Sequence, residues 1–551
     1  MPHQKIAPSS SDPVPDSRGQ NLYHADRDLD GLLRLYLDRD LFLRLRPHFE
    51  RLGALAGGHL DMLAATADKN GPELHVRDRQ GNDCSRIVKH PAYVELERWA
   101  FSTFGLAAAS HVPVLGWHAP LPMVAKYTLF YLFAQAEFGL TCPLNMTDSL
   151  TRTLKKYGHP DLVQRYVGAL TSLDFDACFQ GAMFMTEQGA GSDIAQTATR
   201  AEKMEGGWRL YGDKWFCSNA TADLAMVLAR PSDAPAGMAG VTLFLMPRIT
   251  ANGQPNAYRI VRLKEKLGTR AMASGEIRLE GAEAYLIGEV GKGFQQMAEM
   301  VNSSRLSNGV RSAGLMRRAV SEALFVAGHR TAFGKRLDAF ALMQRQLAKI
   351  ILPTEQARTF AFHTALALQR ADGGDVEARR LARIMTPLIK FRACRDARAV
   401  TTDAMEVRGG CGYIEEWTEP RLVREAVLGS IWEGTSNIVA LDVYRAIVRE
   451  NALDAYGALL HHLLAQSAAM PGVNILGDRL DALIARAGRS ASARHESEAR
   501  EVASALYHLG TAIMFGWEAS HAGLSHRAAL MGDVLEHRLE PVLQRLKLPV
   551  A

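Results

Sequence analysis

The stretch GSIWEGTSNI, residues 429–438, sets Glu433 between Trp432 and Gly434. A carboxylate beside a bulky apolar ring is pushed toward its neutral form, which suits a general base. Thr435 or Ser436 is placed to cap a helix starting there. MFMTEQGAGSD, 183–193, reads as a Gly-rich loop whose backbone N–H groups can approach a ligand closely. It matches neither a P-loop nor a GxGxxG fingerprint. GDKWFCSN, 212–219, reads as a strand whose Trp215 and Phe216, beside a Ser and an Asn, can wall a planar aromatic cofactor. HRTAFGKRL, 329–337, reads as mid-helix and groups Arg330, Lys335 and Arg336 around Phe333. That set suits a pyrophosphate and a stacked ring. Taken singly, each segment has a plainer reading: a surface glutamate, an interdomain turn, core aromatics, a solvated helix end.

The elements that must position these residues come in a simple order. Residues 21–180 carry long apolar side chains without turn residues, as in VAKYTLFYLFAQAEFG, and read as a helical domain. Residues 181–290 read as an antiparallel β domain, with strands in GWRLYGDKWFC, DLAMVLAR, GVTLFLM, AYRIVRL and GEIRLEG. GEVGKGF, 288–294, reads as a turn leading into a helix. Residues 291–450 read as a helical bundle. There Met316, Val320, Ala323, Leu324 and Ala327 recur on one helix face. Residues 451–551 read as an extra helical region, with Val502, Leu506, Leu509 and Ile513 on one face, and 1–20 as a flexible arm. Helices, then strands, then helices mean an α+β multidomain fold in separate layers, not a Rossmann sheet.

Read together, in this order, the segments resemble the acyl-CoA dehydrogenase family over about residues 100–450. MTEQGAGSD is similar to the family's TEPGAGSD loop, and GDKWFCSN to its G-x-K-x-W-I-T-N strand. HRTAFGK resembles R-x-x-F-G-K, and GGCGY followed by IWEGTSNI resembles G-G-x-G-[FY] followed by Y-E-G-T-x-x-I. The resemblance implies FAD, an acyl-CoA substrate and a helical–β–helical fold. It implies that Met183, Met185, Thr186 and Ser218 meet the isoalloxazine, with Phe216 where many members have Trp. Trp432, Thr435 and Asn437 complete the flavin pocket. Ser192 and Arg305 lie near the acyl-CoA. Arg330, Phe333 and Gly410 reach the FAD of a neighbouring subunit, so a homo-oligomer, expected to be a tetramer, is implied. Glu433 matches the catalytic base that takes the α-proton while the β-hydride leaves to flavin N5. An electron acceptor that reoxidises the flavin is also implied, but not which one.

Ordinary members are much shorter. The length, NLYHADRDL, KHPAYVELE and AMEVRGGCGYIEE resemble the AidB-type branch, flavoproteins of the alkylation response proposed to bind DNA and to be poor dehydrogenases. The alternative function is therefore an FAD-holding, DNA-associated protein with little turnover. Charge gives double-stranded DNA thin support. Residues 451–551 hold nine Arg/Lys against ten Asp/Glu, with seven His that charge only on acidification. The better basic run is RRLARIMTPLIKFRACRDAR, 379–398, which a solvated helix face explains equally well. Glu406 is expected to pair with Arg408 or to turn outward.

Composition excludes the rest. Charged residues at 22% and hydrophobic at 47% rule out disorder, and a net charge of +5 does not demand nucleic acid. Six cysteines without CxxC or His pairs predict no metal site and a reducing, cytoplasmic compartment. The least charged stretch, 99–125, carries His111, His118 and three prolines, so no membrane span is expected.

Overall fold

The structure is a computed structural model that describes residues 14–467 and 473–548. Its contacts divide the chain into two compact units. One takes in Met62–Leu121 and Glu137–Ser304; the other takes in Met1–Asp61, Pro122–Ala136 and Arg305–Ala551, so far as these are described. The span 21–180, expected as one helical domain, contributes to both.

The first unit is built on strands. A hairpin, β1 (Glu73–Arg77) and β2 (Asp83–Val88), precedes the main sheet. It lies within the span read as helical. The sheet comprises β3 (Gly181–Phe184), β4 (Arg200–Met204), β5 (Gly207–Ser218), β6 (Leu224–Pro231), β7 (Thr242–Pro247), β8 (Tyr258–Leu263) and β9 (Ser274–Leu286). Strand β6 pairs with β4 and β7, β7 with β9, β9 with β5, and β5 with β4, so the pairings close on themselves. The pairings β3–β6 and β4–β6 are parallel, where the sequence predicts an antiparallel domain; the others are antiparallel. All five expected strands form. Strands β3 and β4 escape the pattern because one is four residues long and the other, RAEKM, shows no apolar alternation. Strands β6 and β7 are almost wholly buried, which is why they read as continuous apolar runs. Leu150, Leu154, Leu162 and Tyr166, from the helices Thr141–Tyr157 and Pro160–Leu170, cover one face of them, with Met226, Leu228 and Leu243 beneath.

The second unit is helical. Its long members are Gly293–His329 (from Arg305 on), Ala341–Asp372 and Val376–Arg408, joined by Glu419–Gly429, Ser436–Glu450 and Ala499–His521. Val502, Leu506, Leu509 and Ile513 are all buried, as their spacing predicts. Met316, Val320, Ala323 and Ala327 are buried too, but Leu324 is 39% exposed. It stands at the edge of that stripe, about 80° from Met316 at 100° per residue. Residues 329–337 are not mid-helix. The helix stops at His329, and β10 (Thr331–Ala332) pairs with β11 (Lys335–Arg336) across Phe333 and Gly334, whose φ angles are +51° and +79°. Two consecutive positive φ values make the tight turn that a two-residue hairpin needs.

Charged side chains knit this unit's front, middle and tail together. Arg527 donates to Glu518 (2.6 Å), Asp28 (2.8 Å), Glu355 (2.9 Å) and the Thr359 hydroxyl (2.6 Å). Arg358 pairs with Asp26 and Glu355, Arg317 pairs with Glu355, and the Tyr131 hydroxyl donates to Asp26 at 2.6 Å. Burial alone would raise the Asp26 and Glu355 carboxyls, but the surrounding guanidinium groups hold both below the usual carboxylate range. Of the arm expected at 1–20, residues 1–13 lie outside the described residues. Pro15 and Ser17 are buried: the Pro15 carbonyl accepts from Arg408 at 2.9 Å and the Ser17 hydroxyl donates to Glu322 at 2.5 Å. No described helix is long and apolar enough to cross a membrane.

Arg527→Met removes the cation that faces Glu518, Glu355 and Asp28, leaving buried carboxylates under-compensated. It is expected to cost about 3–5 kcal/mol, read as a fall in the denaturant midpoint at pH 7. Because the native Asp26 and Glu355 carboxyls titrate below their unfolded values, their contribution is present at neutral pH. It is lost as pH falls below about 4, so the parent's midpoint should drop there.

Candidate active site

Glu433 sits on the turn between the helices Glu419–Gly429 and Ser436–Glu450, where its φ is +53° and that of Gly434 is +107°. A left-handed conformation costs a residue with a side chain about 1–2 kcal/mol, so something must hold it. Two cations do. Arg305 Nε donates to the Glu433 carbonyl at 3.2 Å, and Lys390 Nζ donates to the Gly434 carbonyl at 2.6 Å. Arg305 is fixed in turn by Asp442 (2.6 Å), which also accepts from Arg383 at 2.9 and 3.0 Å. The Arg305 guanidinium, expected near the substrate, is thus engaged by the loop and by Asp442.

The Glu433 side chain is half-buried, and its carboxylate accepts from Asn308 Nδ2. The Arg311 guanidinium lies 4.4 Å from the centre of the Trp432 ring. Burial pushes the Glu433 carboxyl above its ordinary value, and this outweighs Arg311, Lys390, Arg305 and the Asn308 bond, which all act downward. Burial likewise lowers Lys390. Thr435 occupies the N-cap position of the Ser436–Glu450 helix, but its side chain makes no capping bond; the Ser436 hydroxyl accepts from Arg395 at 3.2 Å. Thr435 and Asn437 are exposed.

In the strand unit, Met183, Met185, Thr186 and Ser218 are half-buried and Phe216 is 54% exposed at the end of β5. Lys264 Nζ lies 3.2 Å from the centre of the Trp215 ring. The loop after β3 is held by a pair drawn from the two motifs. Lys214 Nζ donates to Glu187 at 2.6 Å and to the Leu228 carbonyl at 2.7 Å, while Glu187 accepts from the Thr199 hydroxyl (2.6 Å) and the Ala198 N–H (2.7 Å). Burial raises the Glu187 carboxyl, but Lys214, with the Thr199 and Ala198 donors, more than offsets it and the net direction is down. Ser192 is exposed on that loop. At Gly189 and Gly191 an added Cβ would meet nothing within 4 Å, so the protein's own packing does not demand glycine there.

In the helical unit, Phe333 is 96% exposed on the β10–β11 turn, Arg330 donates to the Arg408 carbonyl at 3.3 Å, and Gly410 is exposed. Glu406 turns outward, near Gln346 (3.4 Å), while Arg408 pairs with Glu322 and Glu419. The basic run 379–398 is a solvated face only in part: Arg379 and Arg398 are exposed, but others are paired or buried. Lys390 is buried, Arg383 binds Asp442 and Glu450, and Arg392 binds Asp396, which Arg538 also binds. Nor do all the tail histidines charge readily, since burial holds His508 well below its ordinary value. Among the described residues no group of three or more His, Cys, Asp or Glu could hold a metal, and none of the six cysteines forms a disulfide.

Three positioning residues escape a reading of the motifs alone. Asn308 carries only the weak signal of lying three positions after Arg305. Lys390 stands among apolar residues in PLIKF, a lysine in a stretch that reads as core. Glu187 lies inside the Gly-rich motif but reads there as part of a loop.

Residues 291–448 match the acyl-CoA dehydrogenase C-terminal domain, 182–282 the middle domain of the same family, and 13–177 the adaptive response protein AidB N-terminal domain. The chain is 32% identical over 462 residues to acyl-CoA dehydrogenase family member 11 of Caenorhabditis elegans, covering 81% of this chain and 74% of that one. It is 36% identical over 400 residues to the putative acyl-CoA dehydrogenase AidB of Escherichia coli strain K12, covering 70% and 71%. The crystal structure of Caenorhabditis elegans ACDH-11 in complex with C11-CoA superposes with a TM-score of 0.89 at 27% identity, covering 98% of this chain and 94% of that one.

Gly434→Ala tests the turn. Its φ of +107° is closed to a side chain, and a Cβ would lie 3.1 Å from Val439 Cγ2. The variant is expected to lose about 1–3 kcal/mol and to displace Glu433, measured as a lower thermal midpoint and a changed acid limb in any activity that depends on Glu433.

Proposed function

Because the chain belongs to the acyl-CoA dehydrogenase family, we propose that this family oxidoreductase uses FAD to convert an acyl-CoA thioester to its 2,3-enoyl form, with Glu433 as the base. One observation carries the reading. Glu433 is a half-buried carboxylate, raised above its ordinary value by burial, on a turn held at two successive carbonyls. A carboxylate raised in this way holds a proton more strongly than an ordinary one, as a base for a carbon acid must.

The residue types fit the cofactor. A planar, amphipathic ring suits the exposed face of Phe216 beside the half-buried Met183, Met185, Thr186 and Ser218. A ligand lying close to the loop gives Gly189 and Gly191 the reason that packing does not. Trp432, Thr435 and Asn437 are also assigned to FAD, as the family resemblance implies. Arg330, Phe333 and Gly410 are assigned to the cofactor of a neighbouring copy in a homotetramer, which the 96% exposure of Phe333 supports. FAD, when bound, supplies a hydride acceptor for the substrate β-carbon.

The remaining chemistry belongs to this chain. The Glu433 carboxylate takes the α-proton. The Glu433 backbone N–H is assigned to the thioester oxygen, where enolate charge develops. Arg305 and Lys390 keep that N–H and the carboxylate in register by holding the turn, so the substrate role of Arg305 is indirect. Ser192 is assigned to the acyl-CoA. The C11-CoA in the related structure supports including long acyl chains among the substrates.

FAD-replete protein, mixed without oxygen with short, branched and long acyl-CoAs including an eleven-carbon chain, is expected to bleach with at least one class. Glu433→Gln should keep FAD and lose bleaching by at least about a hundredfold. The bleaching rate should rise with pH through a midpoint above the ordinary glutamate range, because the base acts only when ionised. No bleaching with any chain, or a Gln variant at the parental rate, would refute the proposal.

A further inference from the structure

We propose that Asn308 is a positioning residue for Glu433 whose side-chain amide serves the carboxyl group in both its charged and its neutral state. The inference rests on the reading of Glu433 as the base. Asn308 is fully buried on the helix Gly293–His329. Its Nδ2 donates to Glu433 Oε2, while its Oδ1 is equally buried and accepts no hydrogen bond. A buried acceptor left without a donor is costly and calls for an explanation.

The reaction itself provides the missing donor. When the α C–H bond breaks, its electron pair stays with the thioester as the enolate and the proton forms an O–H bond on Glu433. The group that accepted from Asn308 then becomes a donor. A half-turn of the amide presents Oδ1 to that O–H, and the reverse turn presents Nδ2 to the restored carboxylate. The amide offers both without any change in its own charge. Leucine offers neither contact, and aspartate offers an acceptor together with a second negative charge.

The charged groups facing Glu433 are Arg305 and Arg311, from the same helix as Asn308, and Lys390, from Val376–Arg408; the Cys394 thiol belongs to the same cluster. Arg305 and Lys390 donate to the backbone carbonyls of the turn, not to the carboxylate. Removing Asn308 leaves all four in place, so any change in the titration of Glu433 reports the amide.

The test separates proton transfer from redox. FAD-replete protein is incubated in D2O with a 3-thia-acyl-CoA, which has sulfur in place of the β-carbon and so no hydride to give. Exchange of its α-protons is followed by NMR across pD 5–9. Asn308→Leu is expected to move the acid limb upward by about one unit and to slow the plateau about tenfold, since a hydrogen bond to a charged group is lost. Asn308→Asp, equal in size should the leucine variant fail to fold, is expected to move the limb further up, because two adjacent carboxyls compete for one proton. Parental profiles in these variants would overturn the role of Asn308 while leaving Glu433 as the base. Parental exchange in Glu433→Gln would overturn the base and this inference with it.

Discussion

The helical unit depends on charges placed largely out of reach of water. Asp26 and Asp28 come from the front of the chain, Arg317, Glu355 and Arg358 from the bundle, and Glu518 and Arg527 from the tail. Each buried ion carries a desolvation cost of several kcal/mol, and only well-made pairing offsets it. The network therefore works by mutual dependence: no member is tolerable without the rest. Among the described residues, the front and the tail are thus tied into the bundle by paired charges. Arg538 from the tail reaches Asp396, and Pro15 and Ser17 from the front meet Arg408 and Glu322, in the same manner.

The same competition between burial and pairing sets the chemistry at Glu433. Three cations act on its carboxyl, yet burial wins and the direction is upward. At Glu187 the contest goes the other way, because Lys214 binds it directly at 2.6 Å and two backbone or hydroxyl donors add to the effect. The distinction separates a carboxylate fixed as a structural anion from one that can accept a proton. Contact, more than the number of nearby charges, decides it.

Much of this was legible in the residues. The turn that carries Glu433 before its helix, the strands of the 207–286 region and the buried stripe of the Ala499–His521 helix all follow from short-range pattern or from motif order. The losses have physical causes. The β10–β11 hairpin was hidden because a two-residue strand has no periodicity, and only Phe333-Gly334 marks its turn. The basic run 379–398 looked solvated because its partners, Asp442 and Glu450, are distant in sequence. Asn308 and Lys390 matter through contacts with a loop 125 and 44 positions away, a separation no local rule bridges. The parallel pairings of β6 escape a sequence reading for the same reason.

The bond between Asp28 and Arg527 spans 499 positions. On a ribosome adding about 5–20 residues per second, the acid waits roughly 25–100 seconds for its partner. During that interval the nascent helices hold carboxylates whose counter-ions have not yet been made, so the unit's interior cannot close in its final form. Folding of this half is thereby deferred to the end of translation, while the strand unit, complete by Ser304, is free to settle first. A chain built this way exposes apolar helix faces for most of its synthesis, and its yield in a cell should follow the supply of chaperones more closely than its final stability would suggest.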